Sequence, residues 1–242
     1  MGGVSGLEDE ALDAVAVLGE KLRRSLYTLV RDARRPVTRD EAADAAGISR
    51  KLAAFHLDKL VDAGLLRSRF ESGRRVVGRK PKVYEPVENA IQVSIPPRNY
   101  KLLADILVEA LLAANADVDA RDATMRVSHE RGVSLGTTER ERRRPGRLGP
   151  ERALTLTEEI LDQHGFEPVR PARDCLRLGN CPFHPIAARE PEFVCGLNLA
   201  FVNGLTEGLQ VERTLDAVLS PAAGECCVEL RHRTSATARE PG

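Results

Sequence analysis

The chain has 242 residues, room for two modest domains, with 36 basic and 36 acidic side chains and a formal net charge of zero. With 42% hydrophobic and 30% charged residues it carries the material of a real core, which excludes wholesale disorder; at 4% aromatic and without Trp, that core must be aliphatic. No apolar run is long enough to span a bilayer, so no membrane helix is expected, and a neutral total leaves only local charge to point towards nucleic acid.

The first residues lack a basic segment followed by an apolar run. Met1-Gly2-Gly3 opens like a myristoylation site, but Gly6 stands where Ser or Thr is needed. A cytoplasmic protein is therefore expected. Residues 1–10 are Gly-rich and acidic and read as a frayed start. From Ala11 to Ala33, Leu12, Val15, Leu18, Leu22, Leu26 and Leu29 recur at helical spacing, with Gly19 dividing or bending the run. Thr38 with Glu41 three residues later makes a capping box for a helix Arg39–Ala46, which Gly47 ends. Ser49 caps a second helix from Arg50 to Ala63, whose apolar positions are Leu52, Phe55, Leu57, Leu60 and Val61. Leu65 to Glu71 reads as a strand, Ser72 to Lys82 as a basic loop, and Val83 to Val87 as the returning strand.

After Pro96-Pro97 a long aliphatic helix is predicted over 98–115, with Leu102, Leu103, Ile106, Leu107, Ala110, Leu111 and Leu112 covering a wide arc. Residues 116–150 are highly charged and read as a polar helix or a mobile connector. A helix over 151–164 follows, then strands near 166–170 and 175–178, a helix over 191–208, and strands near 211–215 and 227–231. The last ten residues read as disordered. The fold class is α+β: an N-terminal winged helix-turn-helix over 10–95, a dimerisation helix with charged connector over 96–150, and a C-terminal α+β cysteine-containing domain over 151–232.

Helix, helix, short turn, helix and β-hairpin is the winged-helix order. Ala42, Ala43, Ala45 and Ala46 are small enough for two helices to cross closely. In this motif the N-terminal end of the second helix enters the major groove, where Ser49, Arg50 and Lys51 lie and His56 comes within reach of phosphate or base edges. Arg50 suits either a bidentate guanine contact or a phosphate. Between Arg67 and Lys82 seven basic residues face one acidic residue, Glu71. A wing gripping phosphate explains that excess, and Arg74, Arg75, Arg79 and Lys80 are its candidates, with Thr38 at the entry of the motif. Double-stranded DNA is the implied partner.

All five cysteines, Cys175, Cys181, Cys195, Cys226 and Cys227, fall in the last third of the chain. In a reducing compartment, metal or redox chemistry explains such clustering better than disulfides do. Thiolates suit zinc and iron–sulfur clusters alike, and no CxxC pair selects between them. By spacing alone these side chains also fit ordinary buried thiols.

The stretch EKLRRSLYTLVRDARRPVTRDEAADAAGISRKLAAFHLDKLVDAGLL, followed by GRKPKVYEP, resembles ArsR-type winged-helix regulators. Together with SIPPRNYKLLADIL, NCPFHPIA, CGLNLAFVNGL and CCVEL, it resembles their SufR-like branch more narrowly. That resemblance implies a transcription regulator, a repressor rather than an enzyme, which senses iron–sulfur or redox status through an Fe–S cluster in its C-terminal domain. It assigns Cys181 and Cys195 as ligands and one of Cys226 or Cys227 as a third, since neighbours on a strand point to opposite faces. It also implies a cysteine where this chain has Gln210, which leaves the fourth ligand to Cys175 or, in a mixed set, His184. A homodimer reading two half-sites is expected, held by the 98–115 helix. The competing readings are a winged-helix regulator with structural zinc or a small-molecule effector, and a thiol redox enzyme built on Cys181-Pro182 at a helix start.

Overall fold

Glu20 sets the first boundary. Its carboxylate accepts from the amides of Leu22 and Arg23 at 2.8 and 2.9 Å, capping a new helix just after Gly19. The computed structural model describes residues 4–70, 80–88, 91–114, 118–222 and 224–233. The expected basic loop beyond residue 70 and the expected disordered tail lie largely outside those residues. The chain forms two compact units, Met1–Val93 and Ser94–Gly242.

In the first unit, α1 (Val4–Val17) and α2 (Lys21–Ala33) replace the single run that Gly19 interrupts. Strand β1 (Val37–Thr38) leads into α3 (Arg39–Ala46) and α4 (Arg50–Asp62), and β2 (Leu66–Phe70) and β3 (Lys82–Pro86) complete the unit. The sheet order is β1-β3-β2, antiparallel throughout, with Ser68 opposite Tyr84. Gly47 takes φ 65°, which an L side chain tolerates poorly, and so turns α3 into α4. Leu26, Val30, Val37, Ala42, Leu57, Leu60, Leu66 and Tyr84 form its core.

The second unit begins with α5 (Tyr100–Ala113) and α6 (Ala120–Arg143), followed by α7 (Pro150–Gln163), β4 (Pro168–Ala172) and β5 (Cys175–Leu178). A short α8 (Ile186–Arg189) precedes α9 (Pro191–Gly208), and β6 (Leu215–Leu219) and β7 (Val228–His232) end the unit. Its antiparallel sheet has the order β4-β5-β7-β6. Helices α7 and α9 pack Leu154, Ile160, Phe201, Val202 and Leu205 against sheet residues Leu176, Leu178, Leu215 and Leu230.

Of the two readings of the charged segment after residue 116, the helix is the one found: most of it is α6, a 24-residue helix packed along α9. Its inward face is small rather than apolar: Thr124, Ser128, Gly132 and Gly136 recur every four residues and are buried. A periodicity search for Leu and Val passes over such a face. The strand expected at 211–215 is β6, shifted to Leu215–Leu219, because residues 212–214 turn and pairing with β7 sets the register.

The α6–α9 packing is backbone against backbone. A Cβ on Gly132 would lie 2.0 Å from the Phe201 carbonyl oxygen, and one on Gly204 would lie 2.0 Å from that of His129. Gly136 and Gly208 are equally closed, at 2.4 Å from the Leu205 oxygen and 2.2 Å from the Val133 oxygen. Ser128 seals the seam by donating to the Leu197 carbonyl at 2.8 Å. Gly204→Ala should therefore force the helices apart and destabilise the chain by about 1–3 kcal/mol in chemical denaturation. Gly149→Ala, where nothing lies within 4 Å, should change stability little.

Candidate nucleic-acid interface and thiol site

Helix α4 takes its position from both ends. The Ser49 hydroxyl accepts from the Leu52 amide at 3.2 Å, and Asp58 on its third turn accepts from Lys82 Nζ at 2.6 Å and Tyr84 Oη at 2.9 Å. The second tie fastens the hairpin to the helix, and Asp58 was not among the residues singled out from sequence. Burial first, then the Asp58 hydrogen bond, pushes the Tyr84 hydroxyl above its ordinary pKa, which keeps it a donor to Asp58. Ala53, His56, Leu57 and Leu60 face inward. Ser49, Arg50, Lys51, Leu52 and Phe55 are exposed.

Arg50 is open to solvent, with Nε 3.2 Å from an Asp40 carboxylate oxygen, and Lys51 extends beside it. Thr38 serves the fold: its hydroxyl accepts from the Glu41 amide at 3.2 Å and donates to the Glu41 carboxylate at 2.9 Å. His56 is a correction to the sequence reading. It is 9% exposed, with Nδ1 3.7 Å from Glu20 Oε2, and so faces the start of α2 rather than a groove. Leu52 and Phe55, read from sequence as apolar positions of this helix, lie 40% and 55% exposed. Arg74, Arg75 and Arg79 lie outside the described residues, and Lys80 is exposed. Arg67 and Arg69 share Glu85, each at 3.1 Å, so part of the hairpin's positive charge is already matched.

The cysteines divide. Cys175, on β5, donates to a Glu229 oxygen at 3.1 Å, and Glu229 also takes Arg177 at 3.1 Å together with Arg231. Burial and then Glu229 push the Cys175 thiol up to about 11. It belongs to this strand-surface ion group and not to the other four thiols.

Cys181, Cys195, Cys226 and Cys227 lie together. The thiols of Cys181 and Cys226 interact, as do those of Cys227 with Cys195 and with Cys226. Cys226 and Cys227 are buried in the α7–α9–sheet core, and Cys181 packs against both that core and the α5–α6–α9 cluster. The Cys226–Cys227 pair precedes β7 instead of lying in it. The Cys226 amide bonds the Leu178 carbonyl at 2.8 Å and the Cys227 carbonyl accepts from Ser220 at 2.7 Å. The strand alternation that would send one thiol away therefore does not apply.

Among the described residues no group of three or more His, Cys, Asp or Glu side chains stands arranged to hold a metal ion. The thiols lie against one another instead, and Cys181, Cys195 and Cys226 hold their protons more tightly than free thiols do. The hydrogen bond to Cys226, then burial, raises Cys181 well above the ordinary thiol range. The Cys181 hydrogen bond lowers Cys226, but Cys227 and burial outweigh it and push Cys226 up to about 12. Against this, amides of Phe183 and His184 favour the Cys181 thiolate, and that of Val228 favours Cys226. Asn198, fully buried, donates Nδ2 to Cys226 Sγ at 3.0 Å, while its Oδ1 lacks a partner. Sequence reasoning missed Asn198, although CGLN sets it one helical turn after Cys195. His184 is exposed; its carbonyl accepts from the Tyr100 hydroxyl at 2.7 Å and its amide donates to the Cys181 carbonyl at 3.1 Å.

The start of α5 is tied to the loop that carries Cys181. Arg98 donates to the Asn180 side-chain oxygen and, at 3.2 Å, to the Cys181 carbonyl. Asn180 Nδ2 donates to the carbonyls of Pro97 at 2.9 Å and Gly165 at 2.6 Å, and the Asn99 amide donates to the Pro182 carbonyl at 2.9 Å.

The capping box yields a prediction with a defined sign. Backbone bonding to Thr38, then Arg35 and the Thr38 hydroxyl, lowers the Glu41 carboxyl from 4.5 to about 2. A carboxyl depressed on folding stabilises above its unfolded pKa, and that stability is lost as pH falls through the folded value. Wild type should thus exceed Glu41→Gln in stability above about pH 5 and lose the advantage between about pH 4.5 and 2. Thr38→Ala should cost about 1 kcal/mol at neutral pH in denaturant melts.

No helix among the described residues is long and apolar enough to cross a membrane. No curated protein matches the chain. A family model described as a helix-turn-helix domain matches residues 18–69, the stretch from the end of α1 to β2. With a capped α3–α4 pair that presents Arg50 and Lys51 to solvent, this supports an ArsR-like, DNA-binding transcriptional regulator.

Proposed function

We propose that this protein is a SufR-like repressor in which α4 reads duplex DNA and the four-thiol group of the second unit holds an iron–sulfur cluster. The observation that carries the reading is the meeting of Cys181, Cys195, Cys226 and Cys227 in one half-buried place of a chain that also has an exposed, basic helix-turn-helix. The donor set fits the group. It offers four soft sulfurs, backbone amides directed at two of them, and the Asn198 amide on a third interaction with Cys226. Such N–H···S bonds stabilise thiolates and tune the group they bind. A bound cluster would supply a redox- and iron-sensitive charge at this place. Cys181, Cys195, Cys226 and Cys227 would hold it after releasing their protons. The bonds from Arg98, Asn99 and Asn180 then offer a route from the Cys181 loop to the segment that starts the second unit.

Replacing Arg50 and Lys51 together with Ala should abolish sequence-specific duplex binding while leaving circular dichroism unchanged. Binding equal to wild type in a footprint would remove α4 from the interface.

Protein purified under nitrogen should be brown and contain iron and acid-labile sulfide. Colourless protein with stoichiometric zinc would support the structural-zinc alternative. Serine at Cys181, Cys195, Cys226 or Cys227 should remove visible absorption, whereas Cys175→Ser should keep it. Because the raised thiol pKa values mean protons leave on loading, reconstitution should improve as pH rises.

A homodimer belongs to the same proposal. Leu103, Ile106 and Ala110 of α5 are buried within the unit, but Val108, Leu111 and Leu112 on its outer side are 57%, 71% and 81% exposed. That stripe suits a second copy, whereas Leu103 is internal and a charge there would damage the unit itself. Leu111→Glu with Leu112→Glu should convert a dimer to a monomer in light scattering. An unchanged dimeric mass would exclude this stripe as the interface.

A further inference from the structure

Large apolar side chains isolated on a surface are common and need no explanation. Phe55 differs by its place. It is 55% exposed at the middle of the outward stripe of α4, with Lys51 one turn before it, Lys59 one turn after and Leu52 exposed at its side. The inward neighbour His56 meets its ring edge-on, with centroids 5.2 Å apart and planes at 77°. His56 is itself buried, with Nδ1 3.7 Å from Glu20, so the Phe55 ring stands on a packed neighbour. The flanking charges are unequal along the stripe. Lys59 lies 3.6 Å from Asp62 and Arg50 3.2 Å from Asp40, and Asp58 is taken by Lys82 and Tyr84, which leaves Lys51 as the cation of the stripe without an ion pair among the described residues.

A surface with cations at the helix start and an aromatic ring one turn later matches one face of a DNA groove: phosphates at the rim and an apolar spot on the floor. The major groove has one such spot among unmodified bases, the 5-methyl group of thymine. Adenine and guanine present hydrogen-bonding groups there, and cytosine a donor beside a bare C5–H, so none offers a methyl group for a phenyl ring to cover. Resting on the reading of α4 as the recognition helix, we propose that Phe55 is a specificity-determining residue whose ring packs on a thymine methyl group.

The test uses the full-length protein and chemically defined duplexes. A random duplex library is enriched on wild type, and each dT of the enriched duplex is then replaced singly by dU, which removes only the methyl group. Wild type should lose about fourfold in affinity at one dT position per half-site, the effect of one buried methyl. Phe55→Ala should still bind duplex DNA through Arg50 and Lys51, bind the dT and dU duplexes equally, and enrich a motif relaxed at that position. Phe55→Leu should retain part of the dT preference. If Phe55→Ala keeps the wild-type motif and the wild-type dT/dU ratio, the proposal is overturned and Phe55 is left to a protein contact. If wild type enriches no sequence and does not bind duplex at all, the DNA-binding reading itself falls, a result distinct from the first.

Discussion

Two helices whose backbones touch organise the second unit. Gly132 and Gly136 on α6 face Gly204 and Gly208 on α9, and no side chain fits between them. The contact replaces apolar side-chain burial with close backbone approach, and it fixes both the rotation and the register of α9. Everything on α9 inherits that setting: Cys195 and Asn198 on its first turns, and Phe201, Val202 and Leu205 against the sheet. Helix α5 depends on it as well, since Leu103, Ile106 and Ala110 pack on the α6 side of the same assembly.

The thiol group lies where elements of distant sequence meet. Cys181 comes from the loop after β5, Cys195 from α9, and Cys226 and Cys227 from the turn before β7. Burying Cys226 and Cys227 and half-burying Cys181 and Cys195 costs little, because a thiol behaves as a small hydrophobe. Burying Asn198 with one amide oxygen unpartnered costs more. Its N–H donates to the Cys226 sulfur. The same loop carries Asn180, whose side chain bonds the Pro97 and Gly165 carbonyls and accepts from Arg98. A change of geometry at Cys181 therefore cannot leave the start of α5 untouched, because the two share hydrogen bonds rather than mere proximity.

In the first unit, charge is divided between fold and function. Glu20, Glu41, Asp58 and Glu85 are committed to caps and to cross-links with neighbouring cations. Outward on α4 stand Arg50, Lys51 and Lys59, with Leu52 and Phe55 among them. Electrostatic attraction to a polyanion and an apolar contact on its floor are different tasks, and under the proposed reading of α4 adjacent turns of one helix would carry them separately.

The sequence by itself determined the helix-turn-helix. Thr38 with Glu41, Gly47 and Ser49 act over three or four residues, so their caps and turn are written locally, and α3 and α4 begin where those signals put them. The presence of α9 was legible in the same way, from Pro191 to Gly208. The charged face of α6 hid its small-residue face, because backbone packing leaves no apolar periodicity to read. The direction of His56 was not legible either: helical spacing allows both faces, and the fold buries the ring near the start of α2. The thiols show the division most clearly. Their number and confinement to the last third are in the sequence, but Cys175 is separated from the other four by the pairing of β5 with β7, and Cys227 joins them because the ladder starts one residue later, at Val228. Which cysteines meet is set by strand register and the α6–α9 contact, interactions between residues far apart in the chain that no local pattern encodes.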